Sequence, residues 1–147
     1  MYREQIRATP SWNKGDIDAP RYDCVLVKVG SSLSPMHGLL VGRVRLLFSF
    51  HHSHVNYPCA LLEWFEIVGD QPDVDTGMWI VEPEYSPNSS RLTSVIHLDS
   101  IARGAHLLPV FNETLIPDSL HYSQTLDMFR AFYVNKYIDH HAFETLF

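Results

Sequence analysis

The segment Leu-Val-Gly-Arg-Val-Arg-Leu-Leu-Phe-Ser-Phe, residues 40–50, decides the fold class of this chain. Its even positions are apolar apart from Gly42, whereas Arg43, Arg45 and Ser49 occupy odd positions. A period of two is typical of a β-strand with one buried face. We expect Gly42 to mark a bulge or a sharp bend, because a missing side chain inside a strand commonly does so. The segment therefore predicts a strand whose even-numbered side chains point into a core.

Other short segments with strand character lie on both sides of this one. They are rich in β-branched and aromatic residues and are separated by turn residues. The predicted strands are Tyr22–Val29, Leu40–Phe50, Cys59–Val68, Gly77–Glu82 and Thr93–Leu98, with a short sixth strand at Leu107–Phe111. Between them we interpret His51–Pro58 as a polar loop, Gly69–Thr76 as an acidic turn and Pro83–Arg91 as a connecting loop.

The pattern changes after Pro117. Between Leu126 and Phe143 there is neither proline nor glycine, and apolar residues recur at steps of three and four. This pattern predicts one C-terminal helix over about residues 123–144. Residues 1–20 show no sustained period and are interpreted as an N-terminal arm. The prediction is a mainly β fold, in which residues 21–147 form a small antiparallel barrel of five to six strands that the helix covers.

Composition and charge limit the function. A chain of 147 residues with 46% hydrophobic and 19% charged residues is typical of one globular domain. Its net charge of −6 opposes broad contact with nucleic acid. A local basic strip could still come from Arg43, Arg45 and the arm, so a nucleic-acid-binding accessory domain is one alternative. We find neither a signal peptide nor a membrane-spanning run, and we expect an intracellular protein, nuclear or cytoplasmic, without membrane contact.

No catalytic motif is assembled in the sequence. Cys24 and Cys59 lie in apolar runs, which predicts buried thiols rather than a disulfide or a nucleophile. Asp75-Thr76-Gly77 is the tripeptide of aspartic proteases, but it does not follow an apolar strand, and an acidic hairpin turn explains it better. Dinucleotide, phosphate-loop and nucleophile-elbow motifs are also missing. We therefore predict a protein that is not an enzyme and needs no cofactor.

Histidines suggest a second alternative. His51 and His54 share one loop, and His140 and Glu144 would lie one turn apart on a helix. These four residues could serve a metal-dependent hydrolase. The sequence lacks the paired ligand spacings that are typical of a zinc site. The histidines can also be explained without a metal: His51 and His54 by a solvated loop, and His140 by a helix end where histidines face exposed carbonyl groups.

Aromatic and acidic residues cluster on the third and fourth predicted strands. Trp64, Trp79 and Tyr85 lie close in sequence to Glu63 and Glu82. Ring faces beside carboxylates can bind a cation such as a methylated lysine. The other interpretation is that the rings fill the barrel while the acids face water.

Several motifs occur in an order that suggests a family. They are Pro-Arg-Tyr-Asp-Cys-Val (20–25), Ala-Leu-Leu-Glu-Trp-Phe (60–65), Thr-Gly-Met-Trp-Ile-Val (76–81), Ile-His-Leu-Asp-Ser-Ile-Ala-Arg (96–103) and Phe-Tyr-Val-Asn-Lys-Tyr-Ile-Asp-His-His (132–141). Together they resemble the C-terminal region of proteins associated with basidiomycete DNA transposons of the Plavaka and related kinds. The catalytic carboxylates of such transposases would lie in an upstream domain, so the resemblance assigns no catalytic residue to this chain.

The strand pattern is also similar to bromo-adjacent-homology modules, which are SH3-like barrels that bind chromatin proteins. The two resemblances imply a non-enzymatic interaction module of a fungal, transposon-derived protein with a protein partner, which could be a chromatin protein. Fold analogy alone does not establish function.

Overall fold

The structure, a computed structural model, describes residues 3–14, 17–30, 35–111 and 124–146, without the side chains of residues 13, 14, 17 and 18. None of the described helices is long and apolar enough to cross a membrane. The strands are β1 (Ala8–Lys14), β2 (Ile17–Tyr22), β3 (Cys24–Lys28), β4 (Leu39–His52), β5 (Val55–Ile67), β6 (Ile80–Pro83), β7 (Thr93–His97), β8 (Ile101–Ala105), β9 (Leu107–Pro109) and β10 (Phe132–Val134). The helices are α1 (Thr125–Met128) and α2 (His140–Leu146), and 3₁₀ turns lie at Pro35–Gly38 and Leu98–Ser100.

Eight of these strands form one curled antiparallel sheet in the order β8-β3-β4-β5-β6-β10-β9, and β7 pairs with β5 beside β6. Only His106 separates β8 from β9, so the two ends of the strand order are joined along the chain and the barrel is nearly closed. The predicted mainly β, antiparallel, barrel-like architecture is confirmed. The sheet has more strands than the five to six predicted, because β8 and β10 also pair.

The β4–β5 hairpin is the longest element of the sheet, and its register runs from Gly42↔Trp64 to His52↔Val55. The predicted loop over His51–Pro58 is therefore wrong. Only Ser53 and His54 form the turn, with φ of 48° and 65°, and the flanking residues remain in the strands. Left-handed conformation at both central residues matches the twist of paired strands, which explains so tight a turn.

A bulge interrupts this hairpin at Arg45, where the register shifts between Val44 and Leu46. The predicted bulge or bend at Gly42 is therefore wrong in position, because the bulge lies three residues later, at Arg45. Before the bulge Val44 is fully buried, but Leu46 and Phe50 beyond it are 50% and 47% exposed. The prediction that the even-numbered side chains point into the core fails at these two residues, because the hairpin extends past the body of the barrel.

Two apolar clusters lie on opposite faces of the sheet. The first fills the inside of the curled sheet and includes Leu26, Val41, Phe65, Val81, Phe132 and Val134. The second covers the outer face of β3, β4 and β5 and includes Val25, Val27, Val44, Ala60, Leu62 and Trp64. Strand β3 is therefore buried on both sides, which agrees with its unbroken apolar sequence.

The single C-terminal helix predicted over residues 123–144 is wrong, although residue 123 itself lies outside the described residues. The segment divides into α1, strand β10 and α2. Strand β10 lies between β6 and β9, and its alternate residues Phe132 and Val134 are fully buried. Pairing on both sides and burial of these side chains outweigh the helical spacing of the apolar residues.

The predicted N-terminal arm is largely the β1–β2 hairpin, and short hydrogen bonds attach the residues around it to the barrel. The backbone N–H of Arg7 donates to Asp23 Oδ2 at 2.9 Å, and the N–H of Asp23 donates to the Arg7 carbonyl at 2.9 Å. The N–H of Gly104 on β8 donates to Glu4 Oε2 at 2.9 Å.

Replacing Gly42 by alanine should destabilise the fold by about 1–3 kcal/mol, the usual cost of overpacking a core. The new Cβ would lie 2.9 Å from Leu62 Cδ1, and Leu62 is fully buried. Chemical denaturation followed by tryptophan fluorescence measures the change. In the Leu62→Ala background the same substitution should cost clearly less. An equal cost in both backgrounds would show that this contact is not the cause.

Candidate functional site: a groove beside helix α1

A groove of about 700 Å³ lies between α1 and strands β5 and β6. Its walls contain four carboxylates, two guanidinium groups and several apolar side chains. The lining residues are Glu63, Glu66, Glu82, Pro83, Tyr85, Arg91, Leu126, Asp127, Met128, Phe129 and Arg130. Three of the residues predicted for binding, Glu63, Glu82 and Tyr85, are thus brought together.

Backbone pairing fixes the strand side of this groove. Glu66 lies opposite Glu82 in the β5–β6 register, and beyond β6 an isolated bridge pairs Tyr85 with Arg91. The N–H of Glu84 donates to the Trp64 carbonyl at 3.0 Å, so the connection from β6 towards β7 stays paired with β5. The groove residues therefore stand on hydrogen-bonded strands rather than on a free loop.

The floor of the groove is an ion-pair network around Glu63. This carboxylate lies 3.2 Å from Arg45 Nε and 3.6 Å from Arg91 Nη1. Arg91 also donates to the Trp64 carbonyl at 3.0 Å, and its guanidinium lies over the rings of Phe65 and Tyr85. The charge of Glu63 is therefore largely balanced within the protein.

Helix α1 is held at the groove by one ion pair. Arg43 Nη1 donates to Asp127 Oδ1 at 2.8 Å, and the Arg43 side chain is buried while that of Asp127 is mostly exposed. A buried guanidinium requires a partner, so Asp127 ties α1 to β4, while Leu126 and Phe129 pack against the first apolar cluster.

Glu66 and Glu82 form an acidic pair at the rim of the groove. Alternation along β5 places Glu66 on the face opposite Glu63, so the pair stands at the edge of the groove rather than on its floor. Burial raises the pKa of Glu82, and a hydrogen bond with Glu66 and the charge of that carboxylate raise it further. Two carboxylates this close compete for one proton, and a cation between them would stabilise both in the charged form.

Neither predicted tryptophan lines the groove. Trp64 is buried in the second apolar cluster, and its Nε1 donates to Ser94 Oγ at 2.9 Å. Trp79 is half-buried against the first cluster. For these two rings the structure supports core packing rather than a cation cage, because alternation turns Trp64 away from Glu63 and Phe65. Tyr85 is the predicted aromatic residue that remains exposed at the site.

The two arginines of the nucleic-acid alternative are engaged inside the molecule. Arg43 is buried, pairs with Asp127 and lies near the Tyr22 carbonyl, with Nε at 3.4 Å. Arg45 pairs with Glu63 and stacks over the Tyr22 ring, with its guanidinium carbon 3.9 Å from the centroid. They therefore do not form an exposed basic strip.

The four residues of the metal alternative do not form one site. His51 and His54 lie at the tip of the β4–β5 hairpin, whereas His140 and Glu144 form an exposed pair on α2, with Nε2 and Oε1 3.0 Å apart. Throughout the part of the chain that the structure describes, no three His, Cys, Asp or Glu side chains are grouped to hold a metal ion.

Two sequence predictions about local structure, buried thiols and an acidic turn at residues 75–77, are confirmed. Cys24 and Cys59 are free and buried, and burial raises the pKa of the Cys24 thiol to about 12. The Asp75-Thr76-Gly77 segment is a turn in which Asp73 Oδ2 accepts hydrogen bonds from the N–H and hydroxyl of Thr76. Gly77 supplies the positive φ of 71° that this turn needs.

A further charged cluster, which the sequence did not reveal, ties β8 to α2. Arg103 donates from Nη1 and Nη2 to the two carboxylate oxygens of Asp139, each at 2.9 Å, and Nη1 lies 2.9 Å from His141 Nδ1. Asp139 Oδ1 also accepts the N–H of Ala142 at 2.7 Å. These hydrogen bonds, those from Arg103 first, hold the pKa of Asp139 well below its usual range.

Comparison with known proteins gives no family. The sequence matches no protein-family model and no curated protein, and no solved structure matches the chain. The resemblance to transposon-associated proteins and to bromo-adjacent-homology modules therefore stays an expectation from the quoted motifs.

The groove was only partly predictable. Glu66, Arg91 and the α1 residues were missed as site residues. The charge spacing of Glu63 and Glu66 on one strand was visible, but their convergence with residues 126–130 depends on long-range packing.

Substituting asparagine for Asp139 should lower Tm, because the Arg103 guanidinium would lose its bidentate anion. Glu144→Gln is the matched control, since it removes an acid from an exposed pair on α2, which directly follows Asp139. The pKa of Asp139 lies below its ordinary value of 3.8, so its stabilisation is complete above that value and is lost as the pH falls further. Differential scanning calorimetry should show a Tm difference between wild type and Asp139→Asn that is constant near neutral pH and shrinks below about pH 4. Equal Tm values for Asp139→Asn and Glu144→Gln would contradict this role.

Proposed function

We propose that this chain is a non-enzymatic interaction module that binds a basic segment of a protein partner in the groove beside α1. The observation that carries this proposal is the set of four carboxylates around a groove of about 700 Å³, in a protein of net charge −6. A positively charged segment is attracted to such a surface and is oriented by it.

The rim pair is the part of the groove that selects a cation. Glu63 and Asp127 are compensated by internal arginines, whereas Glu66 and Glu82 face one another and compete for a proton. A lysine or arginine side chain placed between them would replace that proton and form charge-assisted hydrogen bonds with both carboxylates.

Apolar contacts next to the rim suit the rest of a long basic side chain. The exposed ring of Tyr85 and the residues Met128 and Phe129 of the α1 segment lie on the same groove. The aliphatic stem of lysine or arginine packs well on such surfaces, and a methylated ammonium group is attracted to an aromatic face. The groove volume is in the range of sites that hold a few side chains of a peptide.

The family resemblance adds a class of partner to this proposal. Bromo-adjacent-homology modules bind chromatin proteins, and histone tails are basic segments of the kind described. The proposal therefore names chromatin proteins as candidate partners. It also includes a nuclear localisation and the derivation of this protein from a fungal transposon. The proposal excludes an enzymatic role, and it does not depend on Trp64 or Trp79 as contacts.

Removing one rim charge should weaken binding. In a titration followed by fluorescence anisotropy, Glu82→Gln should reduce the affinity for a lysine- and arginine-rich histone-tail peptide about tenfold, the value of one charge-assisted hydrogen bond. Asp75→Asn is the matched control, because it removes one exposed acid in the 73–77 turn, which does not line the groove. Equal affinities for the two variants, or no binding at low salt, would refute the proposal.

The pH dependence of the same titration gives a second readout. The pKa of Glu82 is raised above its ordinary value of 4.5, so protonation competes with the peptide at a higher pH than for an ordinary glutamate. Affinity should therefore fall as the pH is lowered from neutral, and Glu82→Gln should flatten this dependence. A wild-type affinity that is independent of pH down to 4.5, the ordinary pKa of a glutamate, would count against the rim pair as the contact.

A further inference from the structure

The outer half of the β4–β5 hairpin, beyond the bulge at Arg45, carries an exposed apolar surface. It comprises Leu46, Phe48 and Phe50 of β4, Tyr57 and Leu61 of β5, and Val95 of β7, and we call it the hairpin face. Leu46, Phe50 and Val95 are 50%, 47% and 56% exposed. None of these residues lines the groove, although Glu63, the next residue after Leu61 on the same side of β5, does.

Strand register places the six side chains on one side of the sheet. Val95, Leu61 and Leu46 stand opposite one another across β7, β5 and β4, and Phe50 stands opposite Tyr57. Directly opposed residues of antiparallel strands point to the same side. The rings of Phe50 and Tyr57 are stacked with centroids 5.2 Å apart, so the aromatic end of the face is already ordered.

This side of the hairpin continues the interior side of the barrel. Along β5 the same alternation runs from Tyr57 through Leu61 and Glu63 to Phe65, which lies in the first apolar cluster. Below the bulge that side is buried by the curled sheet. Above it, the side chains keep the apolar character of a core.

We propose that the hairpin face is the contact surface of a symmetric homodimer, in which the faces of two copies pack against each other. None of its six residues carries a formal charge, although the protein has a net charge of −6, and the same register adds the buried Cys59 and the partly exposed His97 to this side. Two copies can therefore approach on this surface without placing like charges in the contact. The nearest carboxylate along β5 is that of Glu63, which Arg45 and Arg91 compensate.

The size of the face suits a pair of copies. Three half-exposed side chains and three of intermediate exposure present roughly 250–500 Å² of apolar surface. Two copies would bury at most about 1,000 Å² in total, which is the lower limit for a specific interface. The dimer should therefore be reversible, with a Kd of about 1–100 μM.

The arrangement of residues also favours two-fold symmetry. One end of the face is aromatic, with Phe50 and Tyr57, and the other is aliphatic, with Leu46, Leu61 and Val95. In an antiparallel face-to-face packing, the aromatic end of each copy covers the aliphatic end of the other. The same patch then serves both partners, as a two-fold contact requires.

Sedimentation velocity over a range of roughly 1–500 μM tests this dimer. Wild type should shift from monomer to dimer with concentration, and Leu46→Glu should raise the Kd at least tenfold. Val95→Glu, on β7, should raise the Kd to the same extent. This second variant keeps the test valid if Leu46→Glu fails to fold. Val74→Glu is the matched control, because Val74 is 93% exposed and lies outside the face. Circular dichroism confirms that each variant is folded.

Three outcomes would overturn the proposal. The first is a wild-type protein that stays monomeric at every concentration, in which case another protein or another segment of the same chain covers the face. The second is a dimer that both glutamate variants leave unchanged, which would place the contact elsewhere. The third is an increase of the Kd in Val74→Glu as large as in Leu46→Glu and Val95→Glu, which would show a general effect of added charge. Loss of dimerisation would leave peptide binding in the groove unaffected, so the two proposals fail independently.

Discussion

The register shift at Arg45 is the constraint on which the rest of this structure depends. At this residue β4 leaves its pairing with β5, and the guanidinium reaches Glu63 on the neighbouring strand and the ring of Tyr22. An extra residue in one strand bends and twists the pair. Below the shift the strands wrap the first apolar cluster, and above it they form a hairpin that extends beyond the barrel. The bulge thus divides one long hairpin into a part that builds the core and a part that exposes an apolar face.

Charged pairs hold the remaining segments to this frame. Glu63 joins Arg45 to Arg91, which connects the bulge with the segment that leads from β6 to β7. Arg43 holds α1 through Asp127, and in the same way Arg103 holds α2 through Asp139. Each pair links residues that are distant in sequence, and Arg43 and Arg103 are buried. Such pairs specify where a short helix lies more than they add to stability, because desolvation offsets much of the attraction.

The sequence predicted the strands better than the connections between them. Residues 40–50 were identified as a strand because they alternate, and β3, β5 and β7 are bounded by clear turn residues. The tip of the hairpin was missed, since His51, His52 and His54 suggest a loop, whereas Phe50 and Tyr57 stabilise the strands across it. The C-terminal segment was misassigned because spacings of three and four coexist with the alternation of Phe132 and Val134. Only pairing with two distant strands, which no local pattern shows, selects the β-strand.

The residues of the candidate site were also only partly predictable from local sequence. Glu63, Glu82 and Tyr85 could be chosen from the sequence because acids and aromatic residues cluster there. Trp64 could not be separated from them, since its direction depends on which face of β5 is turned towards the second apolar cluster. Arg43 could not be recognised as a buried anchor either, because its partner Asp127 lies in a helix that local patterns misplace. Long-range packing thus decides which charged side chains are paired inside the protein and which are exposed at the groove.

We propose that the groove beside α1 binds a basic peptide and that the apolar face beyond the bulge has a different role. The most direct test is a titration of isotope-labelled protein with a basic histone-tail peptide, followed by amide chemical shifts in ¹⁵N–¹H spectra. We expect shifts at residues 63–66, 82–85 and 126–130, while residues 46–61 of the hairpin stay unchanged. Shifts concentrated in the hairpin, or none in the groove at saturating peptide, would contradict this proposal.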